Sequence, residues 1–239
     1  MRPAIHARGR LVLVLAAVVA MTQLGQSPAA PPGGQIVIRG AHSGSHLELF
    51  VRGNRLAVRG LMARRGLVGC RFVRRHRAAS CPLSAVDSVL LDLGPSGDFV
   101  VVANRLPVPL TAYLGGGSDK FIGNGERDFC FPGGGQRNRC VGGPGDDVCI
   151  TGPRNSDCVG GPGNDVCEAS TGSDGCWGGR GRDVCRMGPG QDGCHGDGGN
   201  DLLFGGASSD RLYGGGGFDY CDGGPGAGRS HGCEAGPRH

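Results

Sequence analysis

From Leu114 to Asp222 an apolar residue or cysteine returns every nine positions, always two places after an aspartate or its substitute. The clean copies read Gly-Gly-x-Gly-x-Asp-x-Cys-x: GGPGDDVCI from Gly142, GGPGNDVCE from Gly160, GGRGRDVCR from Gly178 and GGGGFDYCD from Gly214. LGGGSDKFI from Leu114 and GNGERDFCF from Gly123 share the frame, and Pro132 is a single inserted residue before GGGQRNRCV. A period held this long is the mark of a solenoid. One inward side chain in nine suits a three-residue strand after a six-residue turn, because strand side chains alternate between faces. The eighth position (Phe121, Leu203, Leu212 and the cysteines) is therefore predicted to point inward.

Ahead of the array the pattern is different. Short apolar, β-branched runs at 47–51, 56–59, 86–93 and 99–103 lie between Gly and Asn turn signals and predict strands. No stretch has a sustained helical period. LGPSGDFVV from Leu93 reads as an outlying copy of the repeat. The expected fold class is thus all-β: a right-handed parallel β-solenoid, or β-roll, over 114–231, with a β-rich region at 35–113 and a short tail at 232–239. Residues 30–34 read as a Pro/Gly linker.

Composition changes the picture in one respect. Fifty glycines and an aromatic content of 5% leave too few large side chains for an ordinary core, and glycine loses the most backbone entropy on ordering. Cations and disulfides are the two remaining sources of stability that the sequence offers. The N-terminus bears on the second. Arg2, Arg8 and Arg10 precede an apolar run from Leu11 to Met21 and the small residues Ser27-Pro28-Ala29, the layout of a secretory signal peptide over 1–29. An extracellular location, a disulfide-permitting space for the twelve cysteines and no membrane span are the expectations. The net charge of +4 averages an arginine-rich stretch, Ile36 to Cys81, with an aspartate-rich array.

The clean frames resemble the hemolysin-type (RTX) calcium-binding repeat family, and the whole layout is similar to secreted calcium-binding proteins of actinobacteria. The resemblance implies that two nonapeptides make one coil, that copies 18 residues apart stack, and that Ca²⁺ lies between stacked turns. Its ligands would be carboxylates and glycine-rich carbonyls, a hard-oxygen set suited to that ion. One edge would carry Asp128, Asp147, Asp165, Asp183, Asp201 and Asp219, supported by Gly143, Gly145, Gly161, Gly163, Gly179, Gly181, Gly215 and Gly217. The other would carry Asp119, Asp174, Asp192 and Asp210, interrupted by Asn138 and Ser156, so the first edge is expected to hold more ions. Cysteine at position eight departs from the family's usual Leu, Ile or Phe.

Cys70 and Cys81 are expected to pair. The other ten cysteines are either reduced thiols acting as small apolar fillers or a disulfide ladder, for which two pairings are open. Stacked pairing would give Cys130–Cys149, Cys140–Cys158, Cys167–Cys185 and Cys176–Cys194. Facing pairing would give Cys130–Cys140, Cys149–Cys158, Cys167–Cys176 and Cys185–Cys194, and both schemes include Cys221–Cys233. Stacked strands about 4.8 Å apart fall inside the Cα window for a bridge, whereas facing sheets near 10 Å do not unless the core is thin. No Ser/His/Asp arrangement, paired-carboxylate site or phosphate loop is discernible, so a non-enzymatic calcium-binding protein is expected. Its partners would be calcium ions and no nucleic acid. The alternative is an adhesion protein whose arginine-rich region meets anionic cell-wall polymers.

Overall fold

The computed structural model describes residues 34–40, 44–60, 62–68, 70–74, 77–103, 105–226 and 228–236. The expected signal peptide and most of the linker lie outside them. The described residues form one compact unit of two long sheets joined by turns, all-β apart from one 3-10 turn at Leu83–Ala85. No helix among them is long and apolar enough to cross a membrane.

The first sheet runs from β1 (Gln35–Gly40) through β7 (Ser88–Gly94), β9 (Leu110–Gly115), β11 (Phe129–Phe131), β13 (Val148–Ile150), β15 (Val166–Glu168), β17 (Val184–Arg186) and β19 (Leu202–Phe204) to β21 (Tyr220–Asp222). The second runs from β2 (His46–Val51) through β8 (Phe99–Val102), β10 (Lys120–Ile122), β12 (Asn138–Val141), β14 (Ser156–Pro162), β16 (Gly175–Arg180), β18 (Gly193–Gly198) and β20 (Arg211–Gly216) to β22 (Arg229–His231). Every neighbour pair in these two series is parallel. The chain alternates between sheets strand by strand, which is the β-roll.

Cysteine stacks on cysteine in register, Cys149 on Cys167 and Cys158 on Cys176. The inserted Pro132 lengthens one step without breaking either ladder, since Phe121 pairs with Cys140 and Cys130 with Cys149. A turn absorbs the extra residue because it has no ladder to keep in phase.

The parallel stacking does not begin at residue 114. It continues back through β9, β8 and β7 to β1 and β2, so neither sheet breaks between the β-rich region and the repeats. Antiparallel strands close that end. β4 (Met62–Val68) pairs with β1, while β3 (Arg55–Gly60), β6 (Ala78–Pro82) and β5 (Arg71–Arg74) extend the second sheet. Antiparallel hairpins arise here because short turns join adjacent runs, while the repeat's turns always cross to the other sheet.

The core narrows along the axis. At the N-terminal end each strand sends two side chains inward, such as Leu47 with Leu49 and Val89 with Leu91. Within the repeats each sends one, and Cys130, Cys140, Cys149, Cys158, Cys167, Cys176, Cys185 and Cys194 are buried in a single column. The predicted inward position eight is thus observed throughout, with Phe121, Leu203 and Leu212 fully enclosed.

Single-file packing makes the roll thin, and this settles which cysteines can meet. Cys130–Cys140 and Cys185–Cys194 are bonded across the roll, with Cα atoms 6.2 and 6.6 Å apart. These lie inside the window for a bridge and well below the usual 10 Å between packed sheets. Stacked pairing of these four cysteines is therefore not what forms. Cys70–Cys81 and Cys221–Cys233 are bonded as expected. Outside, Trp177, His195, Tyr213 and His231 form a column of near-parallel rings with centroids 4.5 to 5.9 Å apart.

Candidate metal centres along the two edges

The turns from the second sheet to the first form one edge, and those from the first to the second form the other. On the first edge the aspartates are tied into a relay. The N–H of Asp128 donates to Oδ1 of Asp147 at 2.8 Å, that of Asp147 to Asp165 at 2.7 Å, and that of Asp165 to Asp183 at 2.7 Å. Asp183 to Asp201 and Asp201 to Asp219 follow at 2.8 Å. The second edge repeats the relay, with Asp98 donating to Asp119, Asp174 to Asp192 and Asp192 to Asp210. One carboxylate oxygen thus holds the next coil in register.

The other oxygen has nothing. Oδ2 of Asp147, Asp165, Asp183, Asp201 and Asp219, and of Asp98, Asp119, Asp174, Asp192 and Asp210, is buried without a hydrogen-bond partner. A carboxylate held ionised in such a site with one oxygen unpartnered costs several kcal/mol, which a bound cation or a proton would offset. Burial has pushed the carboxyls up, Asp147 to about 8, Asp119, Asp128 and Asp165 to about 7, and Asp174, Asp183 and Asp192 to about 6. Loss of water is the largest cause in each, and neighbouring aspartates add to it for most.

Glycine makes room for these oxygens. A Cβ at Gly142 would lie 2.1 Å from Oδ2 of Asp147, and one at Gly160 2.3 Å from Oδ2 of Asp165. The first glycine of the turn therefore keeps the carboxylate's space empty, a role the sequence reading did not assign. The glycines at positions two and four of the motif are fixed by backbone geometry. Gly161 and Gly163 have φ +127° and +150°, and a Cβ on either would strike the carbonyl of the equivalent glycine one coil earlier, at 2.2 and 1.9 Å. Gly143, Gly145, Gly179, Gly181, Gly215 and Gly217 share this geometry, so carbonyls run in columns beside the carboxylates. Two residues that replace glycine in these positions, Asp197 (φ +71°) and Ser208 (φ +102°), also adopt positive φ.

The two edges differ where carboxylates are missing. Asn138 accepts the Asp119 N–H at 2.9 Å, as an aspartate would, but its amide nitrogen donates to the carbonyls of Gly133 and Gly135 at 3.4 and 3.3 Å. Ser156 Oγ donates to the carbonyl of Arg154 at 3.0 Å. Both turns are satisfied by their own side chains. The second edge therefore has two separate groups of orphaned oxygens, Asp98 with Asp119, and Asp174 with Asp192 and Asp210.

Asp128 departs from the expected ligand set. Both its oxygens already accept backbone N–H groups, from Leu110 at 2.9 Å and Asn124 at 2.8 Å. Asn124, in the second-glycine position, donates to the carbonyls of Leu106 and Val108 at 2.8 Å and plugs that end. At the other end Glu234 accepts the Asp219 N–H at 2.8 Å, standing in for one more aspartate. Asp98 was legible as part of the outlying copy from Leu93. Glu234 was not, since it lies outside the nine-residue frame.

A roll of stacked glycine-rich turns, most of which give one carboxylate oxygen to the register and leave the other unpartnered, has the form of a cation-binding solenoid. The model of the RTX calcium-binding nonapeptide repeat matches residues 159–192 and 195–229. These coils are RTX repeats, and the ion that such repeats bind is calcium. No curated protein and no solved structure matches the chain.

Proposed function

We propose that this is a secreted, non-enzymatic protein that binds several Ca²⁺ ions and completes its fold after export. The row of buried Oδ2 atoms without donors carries the reading. Ions on the first edge would sit between successive turns ending at Asp147, Asp165, Asp183, Asp201 and Asp219. Those on the second would form two groups, at Asp98–Asp119 and at Asp174–Asp192–Asp210. Secretion is supported by the signal-like N-terminus and by buried disulfides, which persist in oxidising spaces. The absence from the sequence of a nucleophile–base arrangement supports a binding role.

Extracellular calcium modules bind at about 10⁻⁴–10⁻³ M, so circular dichroism of the exported chain should change between chelator and millimolar calcium. Calorimetry should show several ions bound. No calcium binding at millimolar concentration would overturn the reading.

One observation favours a second role alongside the first. On the outer face of β2, β3 and β6, Arg52, Arg55, Arg59 and Arg77 border a groove of about 700 Å³ floored by Ala57, Ala78 and Ser80. Arg55 reaches Ser80 Oγ at 2.6 Å, and Arg59 lies over the Phe50 ring at 5.3 Å. Such a rim suits an anionic cell-wall polymer. Salt-sensitive binding of the whole protein to purified walls, lost in Arg52→Ser/Arg77→Ser, is the expected result; wall binding unchanged in that variant would exclude it.

A further inference from the structure

Four buried cysteines between the two facing bridges, Cys149, Cys158, Cys167 and Cys176, are left unbonded. The column that contains them has a parity. From Cys130 to Cys194 the cysteines alternate between β11, β13, β15, β17 on one sheet and β12, β14, β16, β18 on the other. Each can thus bond to the one before it or the one after it, which gives two phases. Cys130–Cys140 and Cys185–Cys194 lie at opposite ends of the column and belong to the same phase. In that phase the four between them make two pairs with none left over.

We propose that Cys149–Cys158 and Cys167–Cys176 are disulfide sites, completing an unbroken run of four bridges through the axis of the roll. The thiols are already in contact across the roll, Cys149 with Cys158 and Cys167 with Cys176. Cys158 also meets Cys167 and Cys176, yet those contacts lead nowhere. A Cys158–Cys167 bond would strand Cys149 and Cys176. A stacked Cys158–Cys176 bond would require Cys149–Cys167, which share no thiol hydrogen bond. A soft metal is also disfavoured. Among the described residues, the one cluster with metal-ligand spacing, Cys176 with Cys185 and Cys194, has two of its sulfurs tied to each other.

Each bond forms by loss of two thiol hydrogens, one from each cysteine. A disulfide-bearing thiol oxidoreductase or a small-molecule disulfide takes up the two electrons and two protons and leaves as two thiols. All four sulfurs are buried in the closed roll, so the exchange belongs to the stage before the sheets close. The bridges would join turns of opposite edges, because Cys149 follows Asp147 by two residues and Cys158 follows Ser156 by two.

The test is alkylation of the exported full-length protein in denaturant without reduction, read by intact mass and peptide mapping. No alkylated cysteine is expected. Cleavage at Arg154 should leave fragments joined through Cys149–Cys158, and cleavage at Glu168 should leave fragments joined through Cys167–Cys176. Cys149→Ser should expose one thiol, at Cys158, and Cys149→Ser/Cys158→Ser none. Alkylation of these four residues in the parent protein would overturn the proposal, as would a Cys158–Cys167 or stacked link. The outcome does not depend on calcium binding, which calorimetry on the same sample reports separately.

Discussion

Asn138 and Asp147 show how one atom decides whether a turn has use for an ion. Both accept a backbone N–H from the coil before. Asn138 then spends its remaining group on Gly133 and Gly135, while Asp147 keeps an oxygen with no donor. Asn138→Asp with Ser156→Asp should therefore convert self-satisfied turns into calcium sites and raise the number of ions bound in calorimetry. Asp165→Asn should do the opposite, weakening binding in its gap by about an order of magnitude as one ligand charge is lost. Unchanged stoichiometry in the first variant would show that the carbonyl columns, not the carboxylates, set occupancy. The position of the aspartates was legible from the nine-residue frame. The closure of Asp128 was not, because its second oxygen is taken by the backbone N–H of Asn124, a turn geometry that goes with the Asn124 side chain being anchored to Leu106 and Val108 one coil earlier.

At the level of the turn, glycine is needed for space as much as for backbone freedom. Gly163 has both requirements, a φ of +150° and a carbonyl where its Cβ would be. Gly163→Ala should cost about 1–3 kcal/mol, the usual size of local backbone strain, and lower Tm in calcium by several degrees for a chain of this length. Gly134, where a Cβ would meet nothing within 4 Å, is the control and should tolerate alanine. Thermal unfolding of the two variants side by side checks this, and equal losses would count against the crowding explanation. Strands in the repeats were readable because position eight is fixed. β1 and β2 could not be recognised as coils, because their turns carry no Gly-Asp frame and parallel pairing is non-local: β1 finds β7 about fifty residues away. The choice between facing and stacked cysteines was illegible for a related reason, since the thickness of the roll emerges only once both sheets are in place with one inward side chain per strand.

For the whole molecule, protons and calcium compete for the same oxygens. The carboxyls of Asp119, Asp128, Asp147, Asp165, Asp174, Asp183 and Asp192 have folded pKa values raised above their ordinary 3.8 to between about 6 and about 8. A carboxyl raised in this way stabilises the metal-free fold only while protonated. That contribution is complete below about pH 3.8 and is lost as the pH rises through 6 to 8. With calcium present the sign reverses, because the ion needs the charged form. In chelator, Tm should fall between pH 5 and pH 8; in calcium it should rise, so the two curves separate across that window. Parallel curves would mean that the orphaned oxygens are not where calcium binds.

The turns closed by Asn138 and Ser156 sit beside the Cys130–Cys140 bridge, next to the part of the roll where each strand buries two apolar side chains. That segment has a covalent tie and an oil-like filling that owe nothing to an ion, and its unpartnered oxygens are confined to Asp98 and Asp119. Under the export proposed above, with the N-terminus leading, it is also the segment that would emerge first. Ordered on arrival, it would serve as a template, and each later coil would be laid on it as calcium is met, one rung at a time.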